Sequence, residues 1–173
     1  EAFCSGISEW VGKLVAWLLV AMVTVQFAVV VVRYGFNTGS IAVQQSVSFM
    51  HAALFLLAAS FTLKHDAHVR VDIFYRDWPV KGKALANLIG TIFLLFPSAI
   101  FIAVYSWEYV TFSWGFYEGS NEAGGLDGVF LLKSCIPAMA ILICIQGVAM
   151  VCQALITLLT GEESEDKTEA HYG

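Results

Sequence analysis

The stretch at residues 84–114, ALANLIGTIFLLFPSAIFIAVYSWEYVTFSW, decides the fold. Glu108 is its only charged residue. A helix of about 30 residues is about 45 Å long, and the hydrocarbon core of a bilayer is about 30 Å thick. Such a segment has no stable place in water and more than enough length to cross a membrane. Three other apolar runs share this character, at residues 11–34, 42–63 and 130–159. The whole chain of 173 residues is 58% hydrophobic and 13% charged, whereas soluble domains are about a quarter charged. Its mean hydropathy is +0.74. A membrane barrel would show segments of about ten residues with alternating polarity, and these runs do not alternate.

These features predict an all-α integral membrane protein with four transmembrane helices. The third and fourth runs exceed the hydrocarbon thickness, so they are expected to tilt or to project from it. Pro97 and Pro137 each remove a backbone donor, and bends are expected there. The first run is too long for the apolar region of a secretory signal and lacks a small-residue cleavage pattern after it. Cys4, Cys135, Cys144 and Cys152 contain no CxxC pair, so zinc and iron–sulfur spacings are absent. They read as packing residues, and no cofactor is expected. Residues 1–160 form the predicted membrane domain. Residues 161–173 carry Glu162, Glu163, Glu165, Asp166 and Glu169 and read as a solvated, disordered acidic tail.

Four spans place both termini on one side, together with the loop between the second and third. That side carries Lys13, Lys64, Arg70, Arg76, Lys81, Lys83 and Lys167, against Arg33 and Lys133 on the other. Basic excess marks the cytoplasmic face. Both termini and the 64–83 loop are therefore expected inside. Trp10, Tyr75 and Trp78 would form the inner aromatic belt, and Tyr34, Trp114, Phe116 and Tyr117 the outer one.

The segment HDAHVRVDIFYRDWP, residues 65–79, concentrates charge between the second and third spans. Read as a helix at 68–78, it aligns Val71, Phe74, Tyr75 and Trp78 on one face. His68, Arg70 and Asp77 then point away. This is the pattern of a short amphipathic helix lying in the membrane interface, anchored by Lys64, His68, Arg70, Asp72, Phe74, Tyr75, Arg76 and Trp78 in contact with membrane lipids. A strand is a second reading, since His-Val-Arg-Val-Asp alternates. A metal site from His65, His68 and Asp72 is a third. Nothing in the chain suggests a nucleic-acid partner.

The order LKHDAHVRVDIFY, placed after a second span and before a third, resembles the small membrane subunit of tripartite ATP-independent periplasmic (TRAP) transporters. The matching positions are Lys64, His68, Val69, Val71, Asp72, Phe74 and Tyr75. Weaker similarity lies at Ser113, Trp114, Glu118, Ser120, Gly124, Gly125, Leu126, Leu132, Lys133, Ile136 and Pro137, and again from Leu142 to Gly147. The resemblance covers residues 10–160. One departure is that many relatives carry an acidic pair where this chain has Gln44 and Gln45. The resemblance implies a non-enzymatic subunit that works with a large membrane permease and a periplasmic substrate-binding protein. It further implies cation-coupled symport, with sodium as the usual cation and an organic acid as the usual solute. It implies a scaffold role for this chain.

The residues agree independently with a subunit that holds no solute. No charged side chain lies near the middle of a span, and no paired, broken hairpins occur. The neutral polar residues at depth are Gln26, His51, Ser98 and Gln146. Interhelical hydrogen bonds among them are expected to set helix register. A haem or proton-relay role for His51 is the sharper alternative, but no other midspan histidine supplies a second axial ligand. The loop bearing Glu118, Glu122 and Asp127 is expected to face the periplasm and to meet the binding protein. The alternative functional class is a four-helix membrane oxidoreductase or cytochrome-type subunit.

Overall fold

The computed structural model describes residues 2–65 and 78–161. Its elements are α1 (Ala2–Gly35), α2 (Ile41–Lys64), α3 (Val80–Gly90), a π-helical turn (Thr91–Leu95), α4 (Phe96–Gly115) and α5 (Val129–Thr160). No strand occurs among the described residues. Four segments are long and apolar enough to cross a membrane: Trp10–Gly35, Ile41–Lys64, Val80–Gly115 and Val129–Thr160. The third joins α3, the π turn and α4 into one span of 36 residues.

Helix ends follow local chemistry. Pro79 lies just ahead of α3 with extended backbone (φ −63°, ψ 154°), and its carbonyl accepts the Lys83 amide at 3.0 Å. Proline has no amide to lose at that place. The third span therefore starts at Val80, four residues before the apolar run. Between α1 and α2 the chain turns through Asn37, which takes a left-handed conformation (φ 54°), one that asparagine tolerates. At the far end of α5, Gly161 adopts φ 77° and donates its amide to the Thr157 carbonyl at 2.9 Å. That is a left-handed helix stop suited to glycine.

The π turn stands immediately before Pro97. The amide of Phe96, the residue that follows the turn, bonds back to the Thr91 carbonyl, five residues earlier. The proline ring crowds the preceding turn and supplies no donor. One wider turn accommodates both effects without ending the helix. The buried Thr91 hydroxyl donates to the Asn87 carbonyl at 2.7 Å. Pro137, by contrast, lies inside an uninterrupted α5.

Helix α5 is the centre of the bundle and packs against α1, α2, α3 and α4. Its buried positions are mostly small: Ala140, Gly147, Ala149 and Ala154. Ala140, Gly147 and Ala154 recur every seven residues, two helical turns, so they form one line along which neighbours approach closely. A Cβ built on Gly147 would stand 2.9 Å from Leu95 Cδ2 and 3.0 Å from Phe96 Cε1. The π turn therefore rests on the gap that Gly147 leaves. A second close approach joins α1 to α2, where the Phe61 ring occupies the space a Gly12 side chain would need.

Most other apolar side chains face outward. Trp17, Phe27, Phe93, Leu94 and Phe112 are each about 70% exposed. Without a water-driven core between helices, small-residue packing and interhelical polar contacts carry the association.

Candidate functional site

Three groups of residues were expected to matter: the α4–α5 loop, the midspan polar residues and the α2–α3 segment. The structure organises the first two.

The loop between α4 and α5 is tied to the bundle by side chains. Tyr117 takes a left-handed conformation (φ 51°) and turns the chain back after α4. The Glu118 amide then donates to the Ser113 carbonyl at 3.1 Å. The fully buried Ser113 hydroxyl donates to Glu118 Oε2 at 2.6 Å. Lys133, one turn into α5, forms a salt bridge with the same oxygen. The Lys133 ammonium also stands 4.0 Å over the Tyr109 ring, a cation–π contact. The hydrogen bond from Lys133, and then that from Ser113, hold the Glu118 carboxyl below the usual carboxylate range. Beside this pair, Trp114 Nε1 donates to Ser134 Oγ at 2.8 Å. The Trp114 ring meets Phe130 edge-on at 4.7 Å.

The remainder of the loop is held by α2. Gln45 Nε2 donates to Ser120 Oγ at 2.8 Å, and Gln45 Oε1 accepts the Leu126 amide at 2.7 Å. Gly125 fits under this arrangement because a side chain there would collide with Ser120 and Gln45. Of the three acidic residues singled out in this loop, Glu118 is half-buried in the lysine pair, while Glu122 and Asp127 are exposed. Asp127 Oδ1 covers Gly119, standing 2.5 Å from where a Cβ would be.

The midspan residues separate. Gln146 is 1% exposed on α5 and hydrogen-bonded or otherwise paired. Ser98 is exposed on α4. Gln26 and His51 come together with Met22, Val23, Val47 and Ser48 as the walls of an open groove of about 390 Å³ between α1 and α2. Gln26, Ser48 and His51 are all exposed. At the loop end of this groove, Arg33 Nη1 donates to Gln44 Oε1 at 3.3 Å.

In the α2–α3 segment, Lys64 lies in the last turn of α2, and Trp78, about half exposed, stands before α3. His65 stacks on Phe61 with ring centroids 4.3 Å apart. His68, Arg70, Asp72, Phe74, Tyr75 and Arg76 lie outside the described residues, as does nearly all of the expected interfacial helix. No group of metal-binding side chains occurs among the described residues.

Sequence reasoning missed two roles. Gln45 was visible only as a departure from an acidic pair, and its bonds to a loop some 80 residues away have no local signature. Lys133 counted toward charge asymmetry and the weaker family resemblance, with no partner assigned to it. Its signal was the coincidence of one acid and one base near the same ends of α4 and α5, both at the margin of an apolar run.

Comparison with known proteins agrees with this architecture. The family model for the DctQ component of tripartite ATP-independent periplasmic transporters matches residues 20–157. The chain is also similar to the C4-dicarboxylate TRAP transporter small permease protein DctQ of Vibrio cholerae serotype O1, at 32% identity over 107 residues. That similarity covers 62% of this chain and 44% of the relative, so the matched stretch is less than half of the relative's length. No solved structure matches. With four membrane-crossing helices and a family match over most of its length, the chain is a multi-pass membrane protein that belongs to the DctQ component family of TRAP transporters.

Proposed function

We propose that this chain is the small permease subunit of a TRAP transporter and acts as a static brace for a large membrane permease. The large subunit moves an organic anion with a cation gradient, sodium being the first candidate, after a periplasmic binding protein delivers the solute. The similar Vibrio cholerae protein is named for C4-dicarboxylates, which makes a dicarboxylate the first solute to test. In this reading the chain sits in a bacterial inner membrane with both termini in the cytoplasm. The α4–α5 loop faces the periplasm, with Glu122 and Asp127 exposed toward the binding protein. The 68–78 segment lies as an amphipathic helix in the cytoplasmic interface, and residues 161–173 form an acidic tail.

The observation that carries the brace reading is the placement of polar groups at span depth. Gln146 is enclosed singly in the α5 packing, and Gln26 and His51 line a groove open on the flank. A solute or ion crossing a bilayer needs convergent polar or charged groups around an enclosed position. The described residues offer polar groups to a neighbouring protein instead.

The test is reconstitution in liposomes under a sodium gradient, with labelled succinate as the first solute. The chain alone should give no uptake above empty liposomes. Its complex with the large permease and the loaded binding protein should give uptake. Transport by this chain alone would overturn the brace role.

A further inference from the structure

The α1–α2 groove has a chemistry that lipid cannot satisfy. On α1, Gln26 and Arg33 lie seven residues apart and share one face. On α2, Gln44, Ser48 and His51 recur at four and three residues and share another. These faces flank the groove, so polar side chains descend from the Arg33–Gln44 bond to His51. Counted from the span centres, His51, Gln26 and Ser48 lie about 2, 5 and 7 Å toward the loop end at 1.5 Å per residue. The headgroups begin about 15 Å from the centre. These side chains are too short to reach water from that depth. Gln26, Ser48 and His51 have no hydrogen-bond partner among the described residues. Unmet polar groups in hydrocarbon are costly.

The other exposed polar face, on α4, differs. Ser98, Tyr105 and Glu108 lie on one line there. Near the span centre that face carries a single hydroxyl, which can bond to the backbone of its preceding turn, as Ser48 can. It has no counterpart to the Gln26 amide and the His51 imidazole of the groove, which such a bond cannot satisfy. Tyr105 and Glu108 stand about 11 and 16 Å from their span centre, where long side chains reach the interface. That face suits lipid.

We propose that the α1–α2 groove seats a membrane-spanning helix of the large permease, whose polar side chains complete the hydrogen bonds of Gln26 and His51, with Ser48 on the same wall as His51. Depth rules out a lipid headgroup as the occupant. This inference rests on the brace reading above and adds which face does the bracing.

The test uses cells that express the complete transporter. A benzophenone amino acid replaces Ser48 in one variant and Phe101, on the α4 face, in another. Illumination should crosslink the Ser48 variant to the large permease, with the Phe101 variant giving at most a tenth as much, by about an order of magnitude of interface occupancy. A stronger crosslink from Phe101 would overturn the proposal, as would a Ser48 crosslink only to lipid or to a second copy of this chain. Independently, the double variant Gln26→Leu with His51→Leu should lower the large permease recovered on a tag on this chain by about tenfold, the change that about 1.4 kcal/mol produces. The membrane level of the variant itself should hold. Undiminished recovery would overturn the proposal. If even the wild-type chain recovers no large permease, the brace reading fails; if it does and the groove variants recover as much, only the seat fails.

Discussion

Gln45, in the second turn of α2, accepts the backbone amide of Leu126 at 2.7 Å from a position 81 residues earlier in the chain. The same side chain donates to Ser120 at 2.8 Å. One neutral amide thus fastens both limbs of the α4–α5 loop to a helix that does not adjoin it in sequence. A carboxylate could accept from Leu126 but could not donate to Ser120 Oγ, which here acts as an acceptor from both Gln45 and the Glu122 amide. The glutamine is therefore suited to a loop that offers it one backbone donor and one hydroxyl.

Replacing Gln45 by alanine removes both bonds and leaves a part-buried amide and hydroxyl to find water. The expected cost is about 1–3 kcal/mol of local stability, confined to the loop. Hydrogen exchange at the Leu126 amide should accelerate, while exchange in the middle of α5 stays slow. Gln45→Glu should retain the Leu126 bond and protect that amide more than alanine does. Equal protection in wild type and Gln45→Ala would mean that the loop is held by Glu118 alone.

The Glu118–Lys133 pair predicts a pH dependence with a definite sign. Hydrogen bonds from Lys133 and Ser113 depress the folded-state pKa of Glu118 below its ordinary value. The contribution is therefore complete above the unfolded-state value. It is lost as pH falls through the lower folded-state value. Trp114 reports on this region, because its indole bonds to Ser134 one residue after Lys133. Tryptophan emission from a variant keeping only Trp114 should be flat near neutral pH and change in acid. Glu118→Gln should abolish that acid transition and relax the loop at neutral pH. An identical acid transition in Glu118→Gln would assign the change to another group.

The four spans were legible because burial in lipid demands long uninterrupted apolar runs, and residues 84–114 contain one in plain view. Side-chain pairing was less so. Glu118 looked like a surface acid, and nothing local shows that the left-handed turn at Tyr117 swings it toward Ser113 and Lys133. Gln26 and His51 were recognisable as polar groups at depth. Whether each would face α5 or the flank depends on helix rotation, which an almost uniformly apolar α1 does not encode strongly. Gln146 faces inward because its neighbours on that side of α5 are Gly147 and Ala149, and small residues define the packed line. Pro97 announced an irregularity, but its form as a π turn depends on the partner helix that receives it.

That partner helix is α5, and Gly147 is where it yields. Leu95 and Phe96, at the end of the π turn, occupy the volume a side chain at 147 would claim. Gly147→Ala needs displacement of a flexible leucine methyl and a phenyl edge by a few tenths of an ångström. Overpacking of this kind costs about 1–3 kcal/mol, partly offset by the better helix propensity of alanine, about 1 kcal/mol. Gly147→Val adds two methyl groups with a stiff χ1 and has no such escape, so its loss should be clearly larger. Thermal unfolding in detergent should rank the chains wild type, Gly147→Ala, Gly147→Val in falling order. Leu95→Ala in the Gly147→Val background should recover part of the loss, because it vacates the contested space. A valine variant as stable as wild type would show that α4 and α5 do not meet at this contact.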